Sequence, residues 1–452
     1  MAERKRLILV NPANPLTTRL VRKESLQPPL GLGIVAGLTP PGWKVHIIDE
    51  NFNTFRFREA DLVGITALTS TAGRAYEIAA EYRSRGIPTV LGGIHATLMS
   101  EEASKYVDTI VTGEAETVWE EVLADFENGS MKARYHGFVS DLKGFGRPRF
   151  ELFHPGYIFG AVQTTRGCPM NCDFCSVPVM CDHTYRLRDV DDVLDELEAI
   201  PHKLIYFVDD NILGAGTKAR EHGLMLFRGM IERKIRKEWY AYVPLSIGRD
   251  EEWIRMAAKS GCRLLLIGIE AEKPDQLNRV GKKLNVSLGT ESITRTVRLL
   301  HKYKIGVLGS FIFGMENDTV QDIRDRLRFM QRSPFDITQP NVMTPFPGTP
   351  LYDRIHGAGK IFRADYPSDW KYYHGLDVVY RPDAISPEDL KAELRRVYRL
   401  TFSRRKIARR FIRSWWNTRS FRSSIWALNT NVSYRNLFHI IGDTGGRPRR
   451  NR

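Results

Sequence analysis

The sequence predicts two consecutive α/β units, a doubly wound parallel sheet and then a partial or complete (β/α) barrel, with a mainly helical basic region after them. Three observations lead to this class. Short, mostly aliphatic runs recur through the first three quarters of the chain, each ending in Gly, polar or acidic residues. Helical patterns lie between them, and strand and helix alternating at this spacing form parallel sheets buried on both faces. One aperiodic stretch rich in Gly, Pro and aromatics, DLKGFGRPRFELFHPGY (141 to 157), interrupts the alternation and reads as a linker.

The first unit is expected over residues 1 to 140. Its strands are RLILVNP (6 to 12), KVHIID (44 to 49), DLVGITAL (61 to 68), TVLGG (89 to 93) and TIVTGE (109 to 114), with helical patterns such as AGRAYEIAAEYRSRG between them. In such sheets ligands sit beyond the carboxyl ends of the strands, where Thr69, Ser70, Thr71, Gly92, Gly93, Gly113 and Glu114 gather. Glycine there lets backbone approach a ligand, although tight turns alone would also use it.

The second unit is expected over residues 158 to 365. Its runs are AVQTTRGC, LIYFVDDN, WYAYVPLSIGRD, RLLLIGIEA, IGVLGSFIFGM and ITQPNVMTPFPG. Six strand–helix units place their chemistry at the carboxyl ends of the strands. The cysteines, Asp209, Asp210, Asn211, Arg249, Glu270 and Glu316 fall there.

Composition sets the surroundings. At 452 residues the chain exceeds one ordinary core, and its hydrophobic (42%) and charged (27%) fractions are those of a globular protein. No stretch approaches the apolar length of a transmembrane helix, and the start carries no signal-peptide pattern, so a cytoplasmic protein is expected. There thiols stay reduced, and clustered cysteines more often bind metal than pair.

Three of the five cysteines, Cys168, Cys172 and Cys175, occur as C-x3-C-x2-C after the first barrel strand. A structural zinc site wants four ligands, which Cys181 or His183 would have to complete. Iron–sulfur clusters also take thiolates, usually four; three leave one iron open to a substrate or cofactor.

This spacing, with Phe174 before the last cysteine, resembles the radical S-adenosylmethionine (SAM) superfamily. The resemblance implies a 4Fe-4S cluster on Cys168, Cys172 and Cys175, SAM on the open iron, a (β/α)6 partial TIM barrel and an external electron donor. It also implies SAM contacts from Phe174, from Asp209 and Asp210 in FVDDN where the family has a glycine-rich turn, and from Glu270 in GIEA. Gly309, Ile312, Gly314 and Glu316 in GSFIFGMEND would lie near adenine. For each acid taken alone, a helix cap or surface ion pair is the ordinary role.

The first unit, with PPLGLG (28 to 33), the turn at 69 to 71, LGGIHA (91 to 96) and TGEAE (112 to 116), resembles the cobalamin-binding branch of that superfamily, including the hopanoid methylases. The cobalamin contacts implied are Thr69, Ser70, Thr71, Gly92, Gly93, Gly113 and Glu114. The D-x-H-x-x-G motif is absent, so no histidine ligand is expected from it, and His95 is read as a turn or pocket residue. The activity implied is methylation of an unactivated carbon of a hydrophobic or lipid-like substrate, through a 5′-deoxyadenosyl radical and methylcobalamin. Relatives with the same two units also close rings, join carbons or insert oxygen, and an RNA-binding or RNA-modifying metalloprotein is a further alternative.

The tail, residues 366 to 452, carries the charge. From Lys391 onward 17 Lys or Arg face only Glu393 and Asp443, which accounts for the chain's net +14. Ile407, Phe411 and Trp415 recur every four residues with arginines between them. Such a helix suits an anionic membrane face, RNA, or a seal on the barrel that leaves GGRPRRNR disordered.

Overall fold

The computed structural model describes residues 4–18, 20, 26–143 and 146–442. Its first sheet comprises β1 (Lys5–Asn11), β2 (Trp43–Asp49), β3 (Leu62–Thr66), β4 (Thr89–Gly92), β5 (Thr109–Gly113) and β6 (Arg134–Gly137). All are parallel, in the order β2-β1-β3-β4-β5-β6. Both faces are buried, as aliphatic runs without alternation require. Along β1, Ile8 and Val10 face a core shared with the helix Ala72–Arg83, and Leu7 and Leu9 face one shared with Leu30–Leu38 and Trp119–Glu127. The order reverses beside β1, and the crevice at such a switch point opens at the strands' carboxyl ends.

After the linker come β7 (Phe159–Val162) and an antiparallel hairpin of β8 (Thr165–Gly167) and β9 (Tyr185–Leu187). Then follow β10 (Leu204–Phe207), β11 (Glu238–Val243), β12 (Cys262–Glu270), β13 (Gly306–Phe313) and β14 (Ile337–Val342). The six long-range strands pair in parallel as β7-β10-β11-β12-β13-β14, and the end strands do not meet, so the barrel is open. Local signals set the helix ends: Asp250 accepts from Trp253 N to cap the helix Glu251–Ser260, and Gly261, with φ of 110°, ends it.

Three helices close the chain: α1 (Pro387–Thr401), α2 (Arg404–Thr418) and α3 (Phe421–Gly442). Part of the tail is a seal. Trp426 of α3 packs edge-to-face on Phe159 and Tyr240, with ring centroids 5.4 and 5.8 Å away, and Ala427 joins Leu264, Leu308 and Ile337 in one cluster. On α2, Ile407 is buried, whereas Ile412, Trp415 and Trp416 are exposed. GGRPRRNR lies outside the described residues. Among those described, no helix is long and apolar enough to cross a membrane.

Candidate functional site

The loop carrying the three cysteines is fixed by backbone geometry. Gly167, immediately before Cys168, has φ of 91°, and a Cβ there would lie 2.0 Å from the Thr184 carbonyl. Only glycine fits. Cys175 N donates to the Cys172 carbonyl at 3.1 Å, and Asp173 bridges to Val280 and Leu351 through its backbone. Gly281, with φ of 72°, lets the turn before Lys282 press against Asn171.

Cys168, Cys172 and Cys175 line one cavity of about 760 Å³ at the carboxyl ends of the barrel strands. Phe174, Asp209, Asp210, Asn211, Glu270 and Ile312 line it too, together with Tyr206, Tyr242, Lys282 and Phe346. Among the described residues, no three His, Cys, Asp or Glu side chains converge tightly enough for a single metal ion. Three thiolates are one short of the four ligands of a structural zinc site, whereas an iron–sulfur cluster held by three keeps one iron open. Burial pushes all three thiols up, Cys175 to about 12, so they enter as thiols whose protons iron must displace. Asn211 Nδ2 donates to Cys168 Sγ at 3.9 Å.

Glu270 ends β12 with φ of 66° and accepts from Lys282 Nζ at 2.7 Å. Burial alone would pull the Lys282 ammonium down; the Glu270 carboxylate beside it holds it above its ordinary value. One oxygen of Asp209 is engaged by the fold, and its Oδ2 is buried without a partner. Its Oδ1 accepts from Thr164 N at 3.0 Å, Thr164 Oγ1 at 2.9 Å and Thr165 N, while burial pushes its carboxyl up to about 6 against those donors.

Three expected SAM contacts lie off this cavity. Gly309 sits within β13, where a Cβ would meet the Phe335 ring at 2.8 Å. Gly314, with φ of 76°, faces Leu390 and gives its carbonyl to Tyr380 OH at 2.6 Å. Glu316 pairs with Arg354 at 2.8 Å beside a smaller cavity, an ordinary ion pair.

A second cavity, about 390 Å³, lies between the two units. Leu9, Gly64, Thr66, Gly92, Gly93, Gly113 and Glu114 form its floor; Gln163, Arg166, Met180, Cys181, Val208 and Asp210 form its roof. Val208 and Asp210 also line the first cavity, so the two are adjacent. Gly93, with φ of 94°, leaves a bare backbone rim where a Cβ would come within 2.8 Å of Thr66 Oγ1. A floor edged by Gly64, Gly92, Gly93 and Gly113, where backbone is bare of side chains, suits a broad macrocycle such as cobalamin. Among the described residues no histidine lines it: His95 is buried, with Nε2 3.0 Å from Tyr76 OH and 3.4 Å from Glu102, so it is a structural residue and not a pocket one. Thr69, Ser70 and Thr71 are not on the cavity wall either. They pack under the segment Ser368–Tyr372, with Thr71 Oγ1 bonded to the Leu68 backbone.

Glu114 is on the wall, but its carboxylate is committed to a buried clamp between the units. It pairs with Arg166 at 2.9 Å and Arg186 at 2.8 Å and accepts from Val139 N at 2.6 Å, while Glu116 holds Arg166 at 3.0 Å. Sequence reasoning missed this clamp, and it missed Lys282, whose position depends on a turn far from any strand end. Arg166, two residues before Cys168, was the one visible signal.

The comparisons agree with this arrangement. The model of the radical SAM superfamily matches residues 162–330, and that of the B12 binding domain matches residues 18–123. The bacteriochlorophyllide d C-12(1)-methyltransferase of Chlorobaculum tepidum is 30% identical over 409 residues, covering 86% of this chain and 85% of that one. The hopanoid C-2 methylase of Rhodopseudomonas palustris is 24% identical over 358 residues, covering 75% and 66%. The structure of the radical SAM methyltransferase TsrM from Kitasatospora setae, with cobalamin and a [4Fe-4S] cluster bound, superposes with a TM-score of 0.68 at 20% identity, covering 87% of this chain and 91% of that one.

Proposed function

The chain belongs to the cobalamin-dependent radical SAM methyltransferases, and from that premise we propose that it methylates an unactivated carbon of a large hydrophobic ring substrate. The supporting observation is the pair of adjacent cavities sharing Val208 and Asp210. In this reading Cys168, Cys172 and Cys175 hold the cluster, Glu270 and Lys282 hold the polar end of SAM beside it, and Phe174 and Ile312 supply apolar wall. Gly92, Gly93 and Gly113 carry cobalamin in the second cavity. When bound, the cofactors supply hydrogen abstraction and methyl delivery. The chain's own residues orient them and exclude water, and in this reading the reacting carbon meets both where the cavities share Val208 and Asp210.

Tyr206, Tyr242, Leu266 and Phe346 give the first cavity an apolar, aromatic wall that suits a flat ring system. The relatives act, by their names, on bacteriochlorophyllide d and on hopanoids. Substrates of that chemistry concentrate at membranes, and α2 presents Ile412, Trp415 and Trp416 among arginines, so peripheral contact with an anionic membrane face is part of this reading. Incubating the reconstituted enzyme, a low-potential reductant, methyl-labelled SAM and candidate tetrapyrrole or polycyclic lipid substrates should give a product heavier by one labelled methyl, with 5′-deoxyadenosine. Deoxyadenosine with an unlabelled, cyclised or oxygenated product would replace methyl transfer by another radical outcome.

A further inference from the structure

We propose that the face of α2 bearing Lys406, Arg409, Arg410 and Arg413 is a binding site for a phosphate group, supplied by an anionic lipid headgroup. Only the source of the phosphate rests on the membrane contact proposed above.

The spacing of the four residues, i, i+3, i+4 and i+7, sets them on one helical face. With Met330, Gln331 and Thr338 they line a cavity of about 250 Å³. Two other basic residues of the tail find carboxylates, Arg396 with Glu393 and Arg422 with Glu238. Among the described residues these four do not. Arg410 donates to Asn431 Oδ1 and to the Thr401 carbonyl, and Arg413 to the Phe335 carbonyl, all neutral acceptors. The nearby carboxylate is Asp336, whose Oδ2 accepts from His301 at 2.9 Å and Val307 N at 2.7 Å and whose Oδ1 is buried without a hydrogen-bond partner.

Donors are left over. Arg413 Nε and Thr338 Oγ1 are buried without a partner. Burial and the adjacent Arg413 charge pull Arg410 down to about 10, while the Asp336 carboxylate acts against them. A tetrahedral oxyanion answers both needs, because several oxygens accept from several guanidinium edges at once.

Two placements point to a lipid source. Ile412, Trp415 and Trp416 are 61%, 54% and 75% exposed, and Ile412 and Trp416 follow Arg409 and Arg413 by three residues, so the apolar stripe borders the cationic one. Side chains that enter an interface beside cations that meet headgroups are the two halves of peripheral binding. The site also takes Thr338, near the start of β14, whereas the cofactor cavity takes Asn341 to Thr344 at its far end. It therefore serves location and not the reaction.

The test uses full-length reconstituted enzyme, vesicles of phosphatidylcholine alone or mixed equally with phosphatidylglycerol, and inorganic phosphate. The variants are K406Q/R409Q, exposed and safe for folding, R410Q/R413Q, and W415A/W416A. Mixed vesicles should bind, K406Q/R409Q should weaken binding roughly tenfold, and inorganic phosphate should compete and raise the melting temperature of the wild type more than that of either charge variant. If phosphate stabilises the wild type selectively but mixed vesicles are ignored, the site stands with free phosphate as its ligand and the membrane reading falls. If vesicles bind, W415A/W416A alone reduces binding and phosphate has no effect, the membrane reading stands and the phosphate site is overturned.

Discussion

Lys282 Nζ lies 2.7 Å from Glu270 Oε1 on the wall that also carries Cys172, so a buried ion pair stands next to the cluster thiols. The two residues come from different places, the end of β12 and the turn at Gly281, and both line the cavity. A zwitterionic ligand end, with one amino and one carboxylate group, can exchange for either partner without leaving a charge unpaired.

Replacing Lys282 by Met should therefore harm both stability and ligand binding. Glu270 would be left buried without its countercharge, a loss of about 3 kcal/mol in urea unfolding. The double change K282M/E270Q should recover most of that stability while SAM affinity, measured by equilibrium dialysis, stays at least tenfold weak. Recovery of SAM affinity in the double variant would show that the pair is structural only.

The cysteines make separable demands. C168A, C172A and C175A should each lose iron and sulfide after anaerobic reconstitution, because three thiolates are the whole protein ligand set in this reading. C181A and C262A should keep both. Cys181 lines the second cavity, and Cys262 is fully buried at the start of β12, where its Sγ meets the Leu264 carbonyl at 3.9 Å. If C181A lost iron as completely as C172A, the open-iron arrangement would be wrong.

What could be read from residues alone followed range. The aliphatic runs of β1 to β5 and of the six barrel strands stand out because burial on both faces demands them, and the cysteine spacing is local. β6, with the four residues RYHG, and the three-residue strands of the β8–β9 hairpin carry too few apolar side chains to show a period. Glu270 and Asp210 reach the cavity as their strand-end positions suggest. Gly309 and Gly314 do not line it; their missing Cβ makes room for Phe335 and Leu390. Glu114 has its expected location but not free oxygens, since the arginines that take them come from 52 and 72 residues further on, at Arg166 and Arg186.

The Glu114 clamp should make stability sensitive to acid. Burial alone would raise its carboxyl, but Arg186 and Arg166 hold it below its ordinary value of 4.5. A depressed folded value adds stability above the unfolded value, lost as pH falls through it toward the folded one. E114Q should thus unfold with about 3 kcal/mol less stability at neutral pH, and the gap from wild type should stay constant above about pH 5 and shrink below it. Cobalamin retention on gel filtration should fall with E114Q as well, because Arg166, on the cavity roof, loses its anchor. A gap that widened on acidification would contradict the assigned direction.

The tryptophans of the tail should divide by role. Trp426 touches Phe159 and Tyr240 inside the barrel mouth, so W426A removes packing on two strands that never pair with one another. Its partial exposure places the cost on the order of 2 kcal/mol, below that of a fully buried aromatic. Trp416, 75% exposed and three residues beyond Arg413, contributes little to folding, and W416A should change stability by less than about 0.5 kcal/mol. Thermal unfolding of the two variants, each followed by dye binding to report exposed apolar surface, separates the roles: W426A should bind dye before the main transition, and W416A should bind less than wild type because it deletes part of the exposed patch. Equal destabilisation by both would mean that α2 and α3 seal the barrel as one unit, and the outer stripe of α2 would then lose its claim to be a surface held for something else.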